Sequence, residues 1–115
     1  MVRVIMHGCN GKMGQCITNI CKDDPEITIV AGIDVYQGIE NEYPVFDSVK
    51  NCDVEADVII DFSHPSVLGD LLVFAKDNRI PAVIATTGLN EEQIETIKIA
   101  SDDVPLFLSA NMSIG

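Results

Sequence analysis

Basic residues are scarce: seven lysines and arginines stand against eighteen acids, a formal charge of −11. That balance repels phosphate backbones and argues against nucleic acid as a partner. It also repels any anionic ligand at long range, so affinity for one must come from donors placed locally. Long apolar runs are missing too. None reaches the ~20 residues needed to cross a bilayer, and the chain opens on a strand pattern rather than a signal or transit segment. The expectation is a cytoplasmic protein with no membrane partner. Cys9, Cys16, Cys21 and Cys52 lack C-x-x-C spacing, and His7 and His64 stand apart from one another and from any cysteine pair, so no metal site is expected. Cys16 and Cys21 read as small core hydrophobes in a reducing compartment. Internal repeats and low-complexity segments are absent as well. With 115 residues, 47% hydrophobic and 22% charged, there is room for one folded domain around one core.

The stretch that organises the chain lies near its start. An apolar run, Val2-Arg3-Val4-Ile5-Met6, reads as a buried strand and is followed by Gly8, Gly11 and Gly14, then by helical periodicity. A strand that delivers the backbone to a glycine turn, with a helix N-terminus behind it, is the layout of a dinucleotide-binding turn. The glycines admit a pyrophosphate close to the backbone, and the helix aims its free N–H groups and positive dipole end at it. The spacing G-x-x-G-x-x-G is one residue off the G-x-G-x-x-G fingerprint. The helix is predicted over residues 11–22, with Met13, Cys16, Ile17, Ile20 and Cys21 on its buried face, and Asp23-Asp24-Pro25 ends it. Residues 27–33 form a second strand, closing on Asp34, twenty positions after Gly14. An acid at that place accepts hydrogen bonds from ribose hydroxyls.

Residues 35–53 are irregular, with one short strand near Pro44-Val45-Phe46. Residues 56–62 form a third strong strand, and Pro65 suits the start of a helix whose apolar face is Val67, Leu68, Leu71, Leu72 and Ala75. Another strand spans 80–85. Asn90 reads as the N-cap of a helix carrying Glu91, Glu92 and Gln93 in its first turn and turning Ile94 and Ile97 inward. The last strand is 104–108. Strands alternate with helices, which predicts an α/β fold: a Rossmann-type doubly wound parallel sheet in a single domain.

Such sheets bind ligands beyond the carboxyl ends of their strands, where the winding reverses. The polar clusters at those ends are the glycine turn, Asp34, the Phe62-Ser63-His64 turn, Thr86-Thr87-Gly88 and Ser109-Ala110-Asn111-Met112. A dinucleotide across them would lay its adenosine near Asp34 and its nicotinamide near Thr87 and Ala110. Lys12 would attract a 2′-phosphate and Asp34 would repel it, so NADH is expected to bind at least as well as NADPH. His64 sits where a general acid could stand, but a helix-start role is the commoner one. His7 reads as structural, and no pair of groups is set for proton transfer, so no catalytic residue is assigned.

Gly8-Cys9-Asn10-Gly11-Lys12-Met13-Gly14, Asp61-Phe62-Ser63-His64-Pro65, Ala85-Thr86-Thr87-Gly88-Leu89 and Ala110-Asn111-Met112-Ser113-Ile114-Gly115 resemble 4-hydroxy-tetrahydrodipicolinate reductase, the bacterial enzyme of diaminopimelate and lysine biosynthesis formerly called dihydrodipicolinate reductase. The resemblance implies NADH and NADPH as cofactors. Gly8, Cys9, Asn10, Gly11, Lys12 and Met13 would hold the pyrophosphate, with Asp34 on the adenosine ribose and Phe62 also among the cofactor-binding residues. Ala85, Thr86 and Thr87 would line the nicotinamide half, closed over by Ser109, Ala110, Asn111 and Met112. Met112 stands where the family often has an aromatic residue, and Lys12 matches the basic residue that tolerates a 2′-phosphate. The family's proton donor and substrate groups, a His-His pair with a lysine and a Gly-Thr turn, belong to a second domain that also forms a homotetramer. Residues 1–115 would then be the cofactor half, inactive alone and taking its small-molecule substrate only with the second domain. The Rossmann half of another aspartate-family or diaminopimelate dehydrogenase, and a non-catalytic NADH-sensing domain, stay open as alternatives.

Overall fold

Apolar runs, most of them rich in valine and isoleucine, become the strands, because β-branched side chains pack well on a pleated surface. In a computed structural model, which describes residues 1–86 and 88–108, they are β1 (Val2–His7), β2 (Ile27–Ile33), β3 (Val45–Phe46), β4 (Val58–Asp61), β5 (Ala82–Ile84) and β6 (Leu106–Leu108). The helices are α1 (Lys12–Lys22), α2 (Leu68–Asn78) and α3 (Glu91–Ala100). All strand pairs are parallel, in the order β3-β2-β1-β4-β5-β6. The chain therefore winds outward from β1 in one direction and then from β4 in the other. The right-handed rule for such crossovers puts α1 on one face and α2 and α3 on the opposite face. This is the expected Rossmann-type sheet.

One expectation about its wiring does not hold. β2 reaches β3 through coil over residues 34–44, and β3 reaches β4 through a single 3₁₀ turn, Val49–Asn51. Helices thus link three of the five strand pairs consecutive in sequence, not all of them. The core lies on the α2–α3 side, where Ile5, Ile33, Ile59, Ala82 and Ile84 meet Leu68, Leu71, Leu72, Ala75 and Ile97. Of the predicted inward residues of α2 only Val67 stands apart, half-buried in the 3₁₀ turn that leads into the helix.

α1 is a correction. Its buried residues are Gly14 and Thr18; Met13, Cys16 and Ile20 are exposed, and Ile17 and Cys21 are half-buried. The helix meets the turn through its smallest side. A Cβ on Gly14 would lie 2.2 Å from the Gly8 carbonyl oxygen, and the Thr18 hydroxyl donates to the Gly14 carbonyl at 2.8 Å. That contact turns the apolar stripe of α1 away from the sheet. The buried thiols are accordingly Cys9 and Cys52, not Cys16 and Cys21. Burial, with the Asp34 carboxylate nearby, pushes the Cys9 thiol up to about 11.

α3 begins as expected on Asn90. Its side chain accepts the Gln93 amide at 2.8 Å, and the Gln93 side chain accepts the Asn90 amide at 3.0 Å, a reciprocal capping box. Asn90→Ala should lower stability by about 1 kcal/mol, read as a lower urea midpoint with an unchanged slope.

Candidate functional site

Beyond the carboxyl ends of β1, β2 and β4 lies a crevice of about 430 Å³. Gly8, Gly11, Asp34, Phe62 and His64 line it, with Asp70 of α2 on the far side. Four of the predicted cofactor residues, Gly8, Gly11, Asp34 and Phe62, thus share one cavity. Gly8 takes φ +88°, and a Cβ there would stand 2.7 Å from the Phe62 carbonyl oxygen, so the turn and the β4 end are packed backbone to backbone. A second groove, about 510 Å³, runs between α1 and β2 past Tyr43, away from these strand ends.

Donors in the turn divide into two sets. Gly8 and Cys9 both donate their amides to the Ile33 carbonyl, at 2.7 and 3.2 Å, and Gly11 donates to the Gly8 carbonyl at 3.2 Å. The Asn10 amide donates to Asp34 Oδ2 at 2.9 Å. These four amides hold the turn's own shape. The amides of Lys12, Met13 and Gly14, in the first turn of α1, have no partner among the described residues. Gly11, the N-cap, supplies no side chain to satisfy them. They are the orphan donors that every helix leaves at its start, in the three residues that follow Gly11 of the crevice lining.

Asp34 ends β2 and already accepts two amides, Asn10 on Oδ2 and Tyr36 on Oδ1, the latter at 2.9 Å. Each carboxylate oxygen keeps a further lone pair for an incoming hydroxyl. Asn10 is buried; its side chain donates to the Tyr36 carbonyl and accepts from Asn41 at 2.8 Å. Cys9 is fully buried behind the turn, while Lys12 and Met13 are exposed at the helix start.

At the end of β5, Ala85 is half-buried and donates its amide to the Asp61 carbonyl at 2.8 Å. The Thr86 hydroxyl is buried and donates to Asp61 Oδ2 at 2.7 Å, so its side chain serves the fold beneath the crevice. Thr87, Ser109, Ala110, Asn111 and Met112 lie outside the described residues. His64 is exposed, and its Nδ1 accepts the Ser66 amide at 3.1 Å, the helix-start role. Among the described residues no three His, Cys, Asp or Glu side chains converge as metal ligands do.

Asp61 is the residue that reading the sequence for function passed over. Burial opposes its ionisation, but hydrogen bonds from His7, the attraction of that ring in its charged form, and hydrogen bonds from Ser63 and Thr86 outweigh it. Together they hold the carboxyl below the ordinary range. The available signal was two strands, β1 and β4, each ending in a polar residue at the same register position, His7 opposite Asp61.

Comparison with known proteins places this geometry in a lineage. Residues 2–112 match the family described as "Dihydrodipicolinate reductase, N-terminus". The chain is 46% identical over 115 residues to the 4-hydroxy-tetrahydrodipicolinate reductase of Caldanaerobacter subterraneus subsp. tengcongensis, covering all of this chain and 45% of that protein. It is 47% identical to that of Clostridium novyi, again over its whole length and 46% of the relative. The chain thus spans about half the length of these relatives. Among solved structures, a dipicolinate-bound dihydrodipicolinate reductase from Paenisporosarcina sp. TG-14 superposes with a TM-score of 0.80 at 23% identity, over 96% of this chain and 47% of that one. A homoserine dehydrogenase of S. aureus reaches 0.79 at 16% identity, over 95% of this chain and 32% of that one, and shares the fold. The match along nearly its whole length shows that the chain belongs to the dihydrodipicolinate reductase N-terminal family.

Proposed function

We propose that this chain is the NAD(P)H-binding half of a 4-hydroxy-tetrahydrodipicolinate reductase of diaminopimelate and lysine biosynthesis, working in the cytoplasm as part of a larger, tetrameric enzyme. The observation that carries the reading is a helix start with unpartnered amides directly after Gly11, which lines one crevice with the Asp34 carboxylate at the switch point of the sheet. The diphosphate rests on the amides of Lys12, Met13 and Gly14, with the Lys12 side chain beside it, while Gly8, Cys9, Asn10 and Gly11 shape the turn. Asp34 takes the adenosine ribose, and Phe62 flanks it. The nicotinamide half extends toward Ala85, Thr86 and Thr87 and on to Ser109, Ala110, Asn111 and Met112. When bound, the cofactor supplies a hydride. Transfer requires the acceptor held roughly 3–3.5 Å away, and the groups that hold it belong to the second domain, so residues 1–115 bind cofactor without turnover.

Calorimetric titration of the chain with NADH and NADPH tests this. NADH is expected to bind at least as tightly as NADPH, because Asp34 opposes a 2′-phosphate that Lys12 attracts. Gly11→Ala is the useful variant: its Cβ would meet only the Gly8 carbonyl oxygen, at 3.4 Å, so the fold is kept while the crevice wall thickens, and binding should weaken. No binding of either nucleotide would overturn the reading. A tenfold preference for NADPH would remove the role given to Asp34, and reductase activity from the chain alone would refute the division of labour.

A further inference from the structure

Beneath the glycine turn lies a buried pair that cofactor binding as described does not use. His7 and Asp61 are 3% and 1% exposed, with Nδ1 2.8 Å from Oδ1. Asp61 also accepts the Ser63 amide at 3.0 Å, the Ser63 hydroxyl, and the Thr86 hydroxyl at 2.7 Å. An ionised carboxylate can only accept, so the hydrogen between the pair sits on His7 Nδ1. Ser63 Oγ, 2.9 Å from Nδ1, gives its own hydrogen to Asp61 and shares the same ring N–H. The other ring nitrogen, Nε2, makes no hydrogen bond among the described residues, and His7 is part of the crevice lining. That nitrogen is a lone pair when the ring is neutral and an N–H donor when it is charged.

The crevice has a charge problem. Its titratable lining, besides His7, is Asp34 from the end of β2, Asp47 after β3, Asp70 of α2 and His64 in the turn before α2, with Asp61 of β4 beneath. Among the described residues no lysine or arginine is in that lining; Lys50 reaches Asp70 from outside at 3.4 Å, and Lys12 is exposed on the helix start. A dinucleotide brings two negative charges into a cavity lined by three carboxylates. The group able to answer from within the fold is a histidine whose opposite nitrogen is already held by an anion.

We propose that His7 takes up a proton when the dinucleotide binds, becoming the cation of the crevice floor and making cofactor affinity proton-linked. The proposal rests on the reading of the site as a dinucleotide site. Asp61 is the positioning residue: it fixes the tautomer of His7 and shares the charge, so the protonated ring is buried as one half of an ion pair.

Calorimetry of NADH binding in phosphate and in Tris, buffers with very different ionisation enthalpies, reads the linkage directly. The observed enthalpy should differ between them by an amount equal to uptake of about half a proton or more. The dissociation constant should rise at least about threefold per pH unit between pH 6 and 8. His7→Asn should abolish both effects, and His64→Gln should keep them. Proton NMR of the unsubstituted chain makes the test independent of how His7→Asn folds. The sequence has two histidines, and the His7 ring resonances should move to their charged positions on adding NADH at pH 7. No heat in either buffer overturns the dinucleotide reading itself. Binding with a buffer-independent enthalpy overturns the proton uptake alone, and linkage that disappears in His64→Gln rather than His7→Asn overturns its assignment to His7.

Discussion

Gly14→Ala is expected to destabilise the chain by about 3 kcal/mol, at the upper end of what overpacking costs, and to take cofactor binding down with it. Its Cβ would fall 2.2 Å from the Gly8 carbonyl oxygen, 2.7 Å from Cys9 Cα and 2.7 Å from the Cys9 carbonyl oxygen. All three are backbone atoms, so no rotamer change relieves them; either α1 lifts off the turn or the turn reshapes. Both displace the Lys12, Met13 and Gly14 amides relative to the crevice. The measurement is the urea midpoint, which should drop by more than about 1 M at typical slopes for a domain of this size. Gly69→Ala is the internal control. Nothing lies within 4 Å of a Cβ at that position in the first turn of α2, and glycine there lacks a positive φ. The same substitution should therefore stabilise by a few tenths of a kcal/mol, up to about 1, through helix propensity and reduced freedom of the unfolded chain. Opposite signs for one chemical change separate the geometric claim about Gly14 from any general intolerance of the chain to alanine.

The contrast also shows what kind of information the sequence held. The β1–turn–α1 unit, Asp34 at the end of β2 and the Asn90 cap were legible, because period-two runs, glycine spacing and capping residues are local signals. The buried face of α1 was misread for a physical reason. Met13, Ile17 and Ile20 do form a stripe, but a stripe reports a capacity for burial, and the close approach at Gly14 and Thr18 decides which side meets the sheet. Likewise a cysteine's neighbours in sequence say little about its burial: Cys9 follows a strand into the interior, and Cys16 faces solvent. Which turn amides remain available depends on the Ile33 carbonyl and Asp34 carboxylate coming back against them, contacts made across more than twenty residues. His7 and Asp61 are 54 positions apart, and their meeting appears only once β1 is set beside β4 in the right register.

Asp61→Ala should cost about 3–5 kcal/mol, as removal of one partner from a buried charged network does. Four donors converge on this carboxylate: His7 Nδ1–H, the Ser63 amide and hydroxyl, and the Thr86 hydroxyl. Alanine leaves them in a site with no acceptor and little room for water, and it unties the ends of β1, β4 and β5 together. Asp61→Asn should do less damage to packing, since its carbonyl oxygen still accepts, but its amide donates toward groups that also donate. The pH dependence follows from the lowered carboxyl. In the unfolded chain Asp61 protonates near the ordinary carboxylate value, whereas in the folded chain it resists until lower pH. Between those points the unfolded state binds the extra proton, so the contribution of Asp61 is complete above the ordinary value and is lost as pH falls through that value toward the folded one. Stability should therefore fall steeply below about pH 4, and Asp61→Asn should flatten that limb in urea midpoints taken from pH 5 downward. Asp57 is the comparison that isolates burial. Hydrogen bonds from Arg3 also lower its carboxyl, yet both side chains are nearly half exposed and solvent screens the pair. Asp57→Asn should leave the acid limb close to that of the unsubstituted chain, and an equal flattening by both variants would remove the special place given to the Asp61 network.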